Sequence, residues 1–244
     1  MKHLVRILCL TLSIVAGCQP KDQARIIIAK AIQAHGGAAY DNKRIEFDFR
    51  KFHLVLDQQN GRFRYQRTYR DSTGVLIEEV LTNDGLARTQ NGQRQVLDSA
   101  QTSRYSQAVN SIAYFVLLPK KLSDPAVLAD YAGESRIEGQ QYHKVRVRFQ
   151  AEGGGSHYQD TFFYWFNQQT HTMDYLAYSE GGPRFRKAIN PQIVGGIRFQ
   201  DYINYRGNPN DTLSVGQYDR LFESHQLPEL SRIEQKNIRV IPLP

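Results

Sequence analysis

Cysteine is almost missing from this sequence: there are two, Cys9 and Cys18, in 244 residues. Both precede the body of the chain, so no disulfide is expected to brace it, whatever the redox compartment. Long apolar runs are equally scarce. The single one, Ile7 to Val15, falls far short of the roughly 20 residues that a spanning helix needs, and mean hydropathy is −0.53. Clustered metal ligands are missing too. His35, His53, His143, His157 and His171 are dispersed, with no His-x-x-x-His spacing, and neither a metal nor a cofactor is expected. Gly154-Gly155-Ser156-His157-Tyr158 begins like a nucleophile elbow but lacks its closing glycine. His157 and Asp160 would point to opposite faces of a strand. Asp160, Asp174 and Asp201 are acid/base candidates set against ordinary turn chemistry. His35, before Gly36-Gly37, reads as a helix-end residue bonding last-turn carbonyls rather than as a catalyst. No catalytic constellation survives, and the chain is not expected to be an enzyme. A concentrated basic patch in a recognised module is also lacking, which argues against nucleic acid as a partner.

What is present begins at the N-terminus. A basic head (Lys2, His3, Arg6) leads through the apolar run into Ile14-Val15-Ala16-Gly17-Cys18. That order fits a secretory signal peptide ending in a lipoprotein box, with residues 1–17 removed and Cys18 lipidated through a thioether to diacylglycerol. The competing reading is a soluble secreted protein with a chance cysteine beside its cleavage site. A doubly or triply acylated, palmitate-type terminus is a stable anchor in the lipid bilayer. Residues 18–21 form a short tether, and residues 22–244 a single domain close to the membrane. Gln19 and Lys21 follow the cysteine with no aspartate at the second position, which favours the outer membrane and a periplasm-facing body. The formal charge is +7, from 31 basic and 24 acidic residues. Loss of Lys2 and Arg6 with the signal leaves it positive, as suits anionic head groups.

Asp22 is a candidate cap for a helix from Gln23 to about His35, with Ala24, Ile27, Ile28, Ala31 and Ile32 on one face. From Arg44 the period changes to two. Ile45, Phe47 and Phe49 alternate with charged residues, and then the parity flips to Phe52, Leu54 and Leu56, which reads as a β-bulge. Asn60-Gly61, Asn83-Asp84-Gly85 and Asn91-Gly92 mark hairpin turns of an antiparallel meander. Ser99 or Ser103 would cap a second helix reaching about Leu118, lined by Tyr105, Ala108, Val109, Ile112 and Val116. Strands resume around Val145-Arg146-Val147 and at residues 158–166, 172–178, 184–189, 197–205 and 213–220. The tail from Glu229 reads as either a short helix or an edge strand. About ten strands and two helices suggest a mainly β fold: one strongly curved antiparallel sheet, an open barrel, covered by the helices. The 14 Tyr, 12 Phe and 1 Trp either fill its core or line an apolar cavity. The rows Arg62/Arg64/Arg70 and Lys144/Arg146/Arg148 are solvated faces or contacts to lipid phosphates.

Ala34-His35-Gly36-Gly37, Ile45-Glu46-Phe47 and Tyr164-Trp165-Phe166 resemble bacterial lipoproteins of the lipoprotein-carrier (LolA/LolB-like) superfamily. Leu118-Pro119-Lys120-Lys121-Leu122-Ser123-Asp124-Pro125, Asp160 through Trp165 to Met173-Asp174-Tyr175-Leu176-Ala177-Tyr178, and Gly195-Gly196-Ile197-Arg198-Phe199-Gln200-Asp201-Tyr202 resemble an uncharacterised lipoprotein family common in Bacteroidetes. The superfamily resemblance implies an open curved sheet, a helical lid and an apolar interior that holds acyl chains. Two functions follow: a membrane-anchored periplasmic lipoprotein binding a lipid or other apolar ligand, or a non-enzymatic module docking on a cell-envelope protein partner.

Overall fold

The computed structural model describes residues 20–153, 158–179, 181–208 and 213–244. Among them the chain runs α1 (Pro20–Ala34), then β1 (Lys43–Phe49), β2 (Phe52–Gln59), β3 (Arg62–Arg70), β4 (Leu76–Thr82), β5 (Gly85–Gln90) and the short β6 (Gln93–Arg94). Helix α2 (Ser99–Val116) follows. Next come β7 (Val127–Ile137), β8 (Gln140–Phe149), β9 (Phe162–Asn167), β10 (Met173–Tyr178), β11 (Arg184–Val194) and β12 (Ile197–Arg206). The chain ends with α3 (Tyr218–Glu223), β13 (Glu229–Ile233) and β14 (Lys236–Pro242).

The strands form two seven-stranded antiparallel sheets, ordered β14-β1-β2-β3-β4-β5-β6 and β13-β12-β11-β10-β9-β8-β7. This corrects the expectation of one strongly curved sheet, since neither sheet is closed or strongly curled. The physical cause lies between β6 and β7. β6 pairs over two residues only, and an 18-residue helix then carries the chain away before strands resume. Of the two forms expected for the C-terminal tail, the edge strand is the one found, and the tail supplies two of them. It leaves the second sheet as β13 and pairs with β1 as β14, giving each sheet an edge strand.

The parity flip after Phe49 is a hairpin, not a bulge: Phe49 faces Phe52 across a two-residue loop in which Arg50 has φ 53°. A reversal restarts the alternation, as a bulge also does, so the two look alike in sequence. Helix α2 is capped one residue earlier than expected. The Gln101 N–H donates to Asp98 Oδ1 at 2.7 Å, and the Asp98 N–H to Gln101 Oε1 at 3.2 Å, a reciprocal capping box. The expected strand at 213–220 is instead a 3-10 turn at Val215–Gln217 followed by α3. Gly216 permits this by lying flat on Phe163, where a Cβ would come within 2.6 Å of the ring.

Helix α1 buries Ala24, Ile27, Ile28 and Ala31 against Val145, Val147, Phe162, Tyr164, Phe166 and Leu176 of the second sheet. Helix α2 lays Val109, Ala113 and Leu117 on Ile45, Phe47, Leu54, Leu56 and Tyr65 of the first. On the opposite face of the second sheet, the α3 segment covers Phe163, Trp165, Tyr175 and Phe185 with Val215 and Tyr218. β9 is therefore buried on both faces, and its unbroken apolar run follows from that. The β11–β12 turn ties the sheets together. Gly195 lies so near β14 that a Cβ would stand 2.6 Å from Val240 Cβ.

Candidate functional site

The two sheets meet along α2. Its Val109, Ala113 and Leu117, spaced four residues apart, hold the first sheet, and a turn of about 100° per residue swings Tyr114 and Phe115 toward the second. There the aromatics close a circuit. Tyr114 meets Phe149 edge-on at 5.8 Å between centroids, and Phe149 meets Phe162 at 5.7 Å. Phe162 stacks on its cross-strand partner Tyr178 at 5.8 Å, and Tyr178 returns to Phe115 at 5.6 Å. Phe162 and Tyr178 are buried, whereas Tyr114, Phe115 and Phe149 are half-buried.

Arg186 of β11 reaches into this circuit. Its guanidinium carbon sits 4.3 Å from the Phe115 centroid and 4.9 Å from that of Tyr178, and its Nη2 donates to the Tyr178 hydroxyl. Its Nε is buried with no hydrogen-bond partner. Among the described residues no carboxylate pairs with Arg186. Burial lowers its pKa, and the neighbouring phenols Tyr178, Tyr202 and Tyr164 only partly offset that. Burial pushes Tyr202 up to about 12 and raises Tyr114 and Tyr164 as well, so the phenols stay neutral.

A buried cationic group on the first sheet is paired. Glu79 accepts from Arg67 Nε at 2.8 Å and from Arg88 Nε at 3.1 Å. Arg67 lies over Phe52 and Arg88 over Tyr105 of α2, at 4.8 and 4.4 Å. A third polar group pins α3: Asp219 Oδ2 accepts from Lys144 Nζ at 2.8 Å, from Trp165 Nε1 at 3.2 Å and from the Ser135 hydroxyl. Burial works to raise the Asp219 pKa, but these donors, Lys144 foremost, hold it below the ordinary carboxylate range.

Cys18 and His157 lie outside the described residues, as does any His157–Asp160 pairing. His35 does not cap its own helix, which corrects that expectation: its Nε2 accepts the Met173 N–H at 3.0 Å, joining α1 to β10. Burial, and then the charge of Arg198, pushes it down to about 3, so it stays neutral. Asp201 accepts the Gln235 N–H at 2.9 Å and braces the β13–β14 link. Asp174 accepts from the Tyr142 hydroxyl at 3.1 Å, and burial raises its pKa. The basic row of β8 splits: Arg146 and Arg148 both bond Asp130, while Lys144 is covered by α3. On β3, Arg64 bonds Gln66 and Arg70 bonds the Gly74 carbonyl. Among the described residues no three His, Cys, Asp or Glu side chains are grouped to hold a metal ion. A cavity of about 520 Å³ opens at the hairpin ends of the first sheet, walled by Asp57, Arg62, Arg64, Asn83, Asp84 and Leu243 among others, which is a mixed-charge surface.

Arg186 and the circuit do not stand out in the sequence. A signal existed: Phe162–Phe166 and Tyr175–Tyr178 are almost uninterrupted apolar runs, which mark a sheet packed on both faces. An arginine at either parity of the neighbouring strand then faces a covered side of the sheet.

Three comparisons bear on this arrangement. A family model described as a family of unknown function, DUF6503, matches residues 1–235. No curated protein matches the chain. Among solved structures, a LolA-superfamily protein from Nitrosomonas europaea is similar at a TM-score of 0.51 and 12% identity, over 91% of this chain and 94% of that one. A domain assigned to outer-membrane lipoprotein sorting from Vibrio parahaemolyticus is similar at 0.51 and 8%, over 90% and 93%. At such identities the likeness is one of fold: the two sheets and their helices follow a LolA-like plan.

Proposed function

The chain belongs to DUF6503, a family of unknown function, and we propose that it is a lipoprotein of the outer membrane, anchored through Cys18 and facing the periplasm, that holds an acyl chain between α2 and the second sheet. It binds and catalyses no reaction. The observation that carries this reading is the aromatic circuit Tyr114–Phe149–Phe162–Tyr178–Phe115, with a buried floor and a half-buried rim. An acyl chain packs against a wall of this kind, made largely of ring faces. The LolA-like fold supports the assignment as an analogy of architecture. The Ala16-Gly17-Cys18 order supports the anchor.

Native mass spectrometry of the full chain, extracted from membranes in a mild neutral detergent, tests both halves. The expected result is a covalent diacylglyceryl adduct that Cys18→Ser abolishes, together with a non-covalent lipid of defined mass. A lipid-free chain after mild extraction counts against the carrier reading. An envelope protein found in its place supports the docking module instead.

A further inference from the structure

We infer that Arg186 is the head-group anchor of the site, so that the ligand is an amphiphile with one anionic group, a carboxylate or a phosphate, at the end of its acyl chain. This deepens the acyl-binding reading and rests on it. A half-buried guanidinium whose Nε is closed off from water is stabilised by an anion that reaches that nitrogen. Arg67 and Arg88, the other inward-facing arginines above an aromatic floor, share Glu79. Arg186 has two aromatic faces and one phenol instead, with no carboxylate among the described residues and with its buried Nε unpartnered. Aromatic faces attract a cation but offer it no lone pair, so of the fork that Nε and Nη2 form, Nη2 meets a phenol and Nε meets no acceptor. A carboxylate or phosphate matches that fork, and the same side chain borders the rings that would receive the chain. Tyr114, Tyr164 and Tyr202, kept neutral by burial, add no competing anion at neutral pH.

The test uses the full chain and four probes: dodecanoate, dodecyl phosphate, dodecanol and inorganic phosphate, each titrated by native mass spectrometry and by shift of the unfolding temperature. Dodecanoate and dodecyl phosphate are expected to bind about tenfold or more tighter than dodecanol, the ratio that one charge-assisted hydrogen bond carries. Inorganic phosphate is expected to produce no shift. Arg186→Met should bring the dodecanoate and dodecanol affinities together. It should also unfold no earlier than the native chain when both are ligand-free, because a half-buried charge with no carboxylate partner among the described residues has been removed. Arg186→Gln, which keeps a donor for the Tyr178 hydroxyl, serves if the methionine variant does not fold. Equal affinities for dodecanoate and dodecanol in the native chain overturn the anchor and leave the acyl-binding reading standing. A preference that survives in both variants puts the head group elsewhere. Inorganic phosphate binding as tightly as dodecyl phosphate makes this a free-anion site and overturns the inference. Absence of binding by all four overturns the anchor and the acyl-binding reading together.

Discussion

His35 offers a prediction whose size follows from its surroundings. The imidazole is 1% exposed, its Nε2 accepts the Met173 N–H, and its carbonyl accepts the Arg198 N–H at 2.9 Å. Protonation would remove the acceptor and place a charge in the core beside Arg198, which is why its pKa falls from 6.5 to about 3. A folded pKa below the unfolded one means that the unfolded chain takes up the proton first. The stabilisation is therefore complete above pH 6.5 and is lost as pH falls through the window between 6.5 and about 3. At 1.36 kcal/mol per unit, about 1.3 kcal/mol is lost between pH 7 and 5.5, and about 2.6 kcal/mol by pH 4.5. Urea unfolding at these three pH values measures it. His35→Gln supplies the control, because a glutamine oxygen can still accept the Met173 N–H yet does not titrate. The variant should start about 1–2 kcal/mol less stable at pH 7, from imperfect packing and hydrogen bonding, and its curve should run nearly flat over the same interval. Groups common to both proteins cancel in the difference. If the two chains lose equal stability between pH 7 and 4.5, His35 is not held neutral and the reasoning fails.

Two further outcomes test how the sheets are held. Glu79→Ala leaves Arg67 and Arg88 buried without their shared anion and should cost about 3–5 kcal/mol in urea unfolding. Replacing all three by Met, Leu and Met should recover most of that loss, and a loss below about 1 kcal/mol for Glu79→Ala alone would contradict the buried triad. Gly195→Ala drives a Cβ into Val240 at a residue with φ 58° and should destabilise by about 1–3 kcal/mol. Hydrogen exchange should accelerate first in β14, and unchanged protection there would show that the β11–β12 turn does not seat that strand.

Much of the fold is legible in the chain because one-sided burial writes itself into periodicity. Ala24, Ile27, Ile28 and Ala31 announce α1, and Ile45, Phe47, Leu54, Leu56 and Tyr65 announce the core face of the first sheet. The Asn60-Gly61 and Asn91-Gly92 turns follow from local chemistry, and both asparagines and both glycines have positive φ. Two sheets rather than one are not legible, since nothing local records that β6 stops after two residues or that β14 crosses back to β1. The site is hidden for a related reason. Arg184, Arg186 and Lys187 look like one basic stretch, and an alternating pattern would send Arg186 outward, opposite the fully buried Phe185. Because α1 and α2 cover one face of the second sheet and α3 the other, both parities of its central strands lead inward. Basic residues there separate by what meets them. Lys144 finds Asp219 beneath α3 and becomes a brace, whereas Arg186 meets α2, whose facing side chain is the phenyl ring of Phe115. A lysine answered by a carboxylate closes its own electrostatics within the chain. An arginine answered by a phenyl ring leaves them open to a molecule that brings the charge with it.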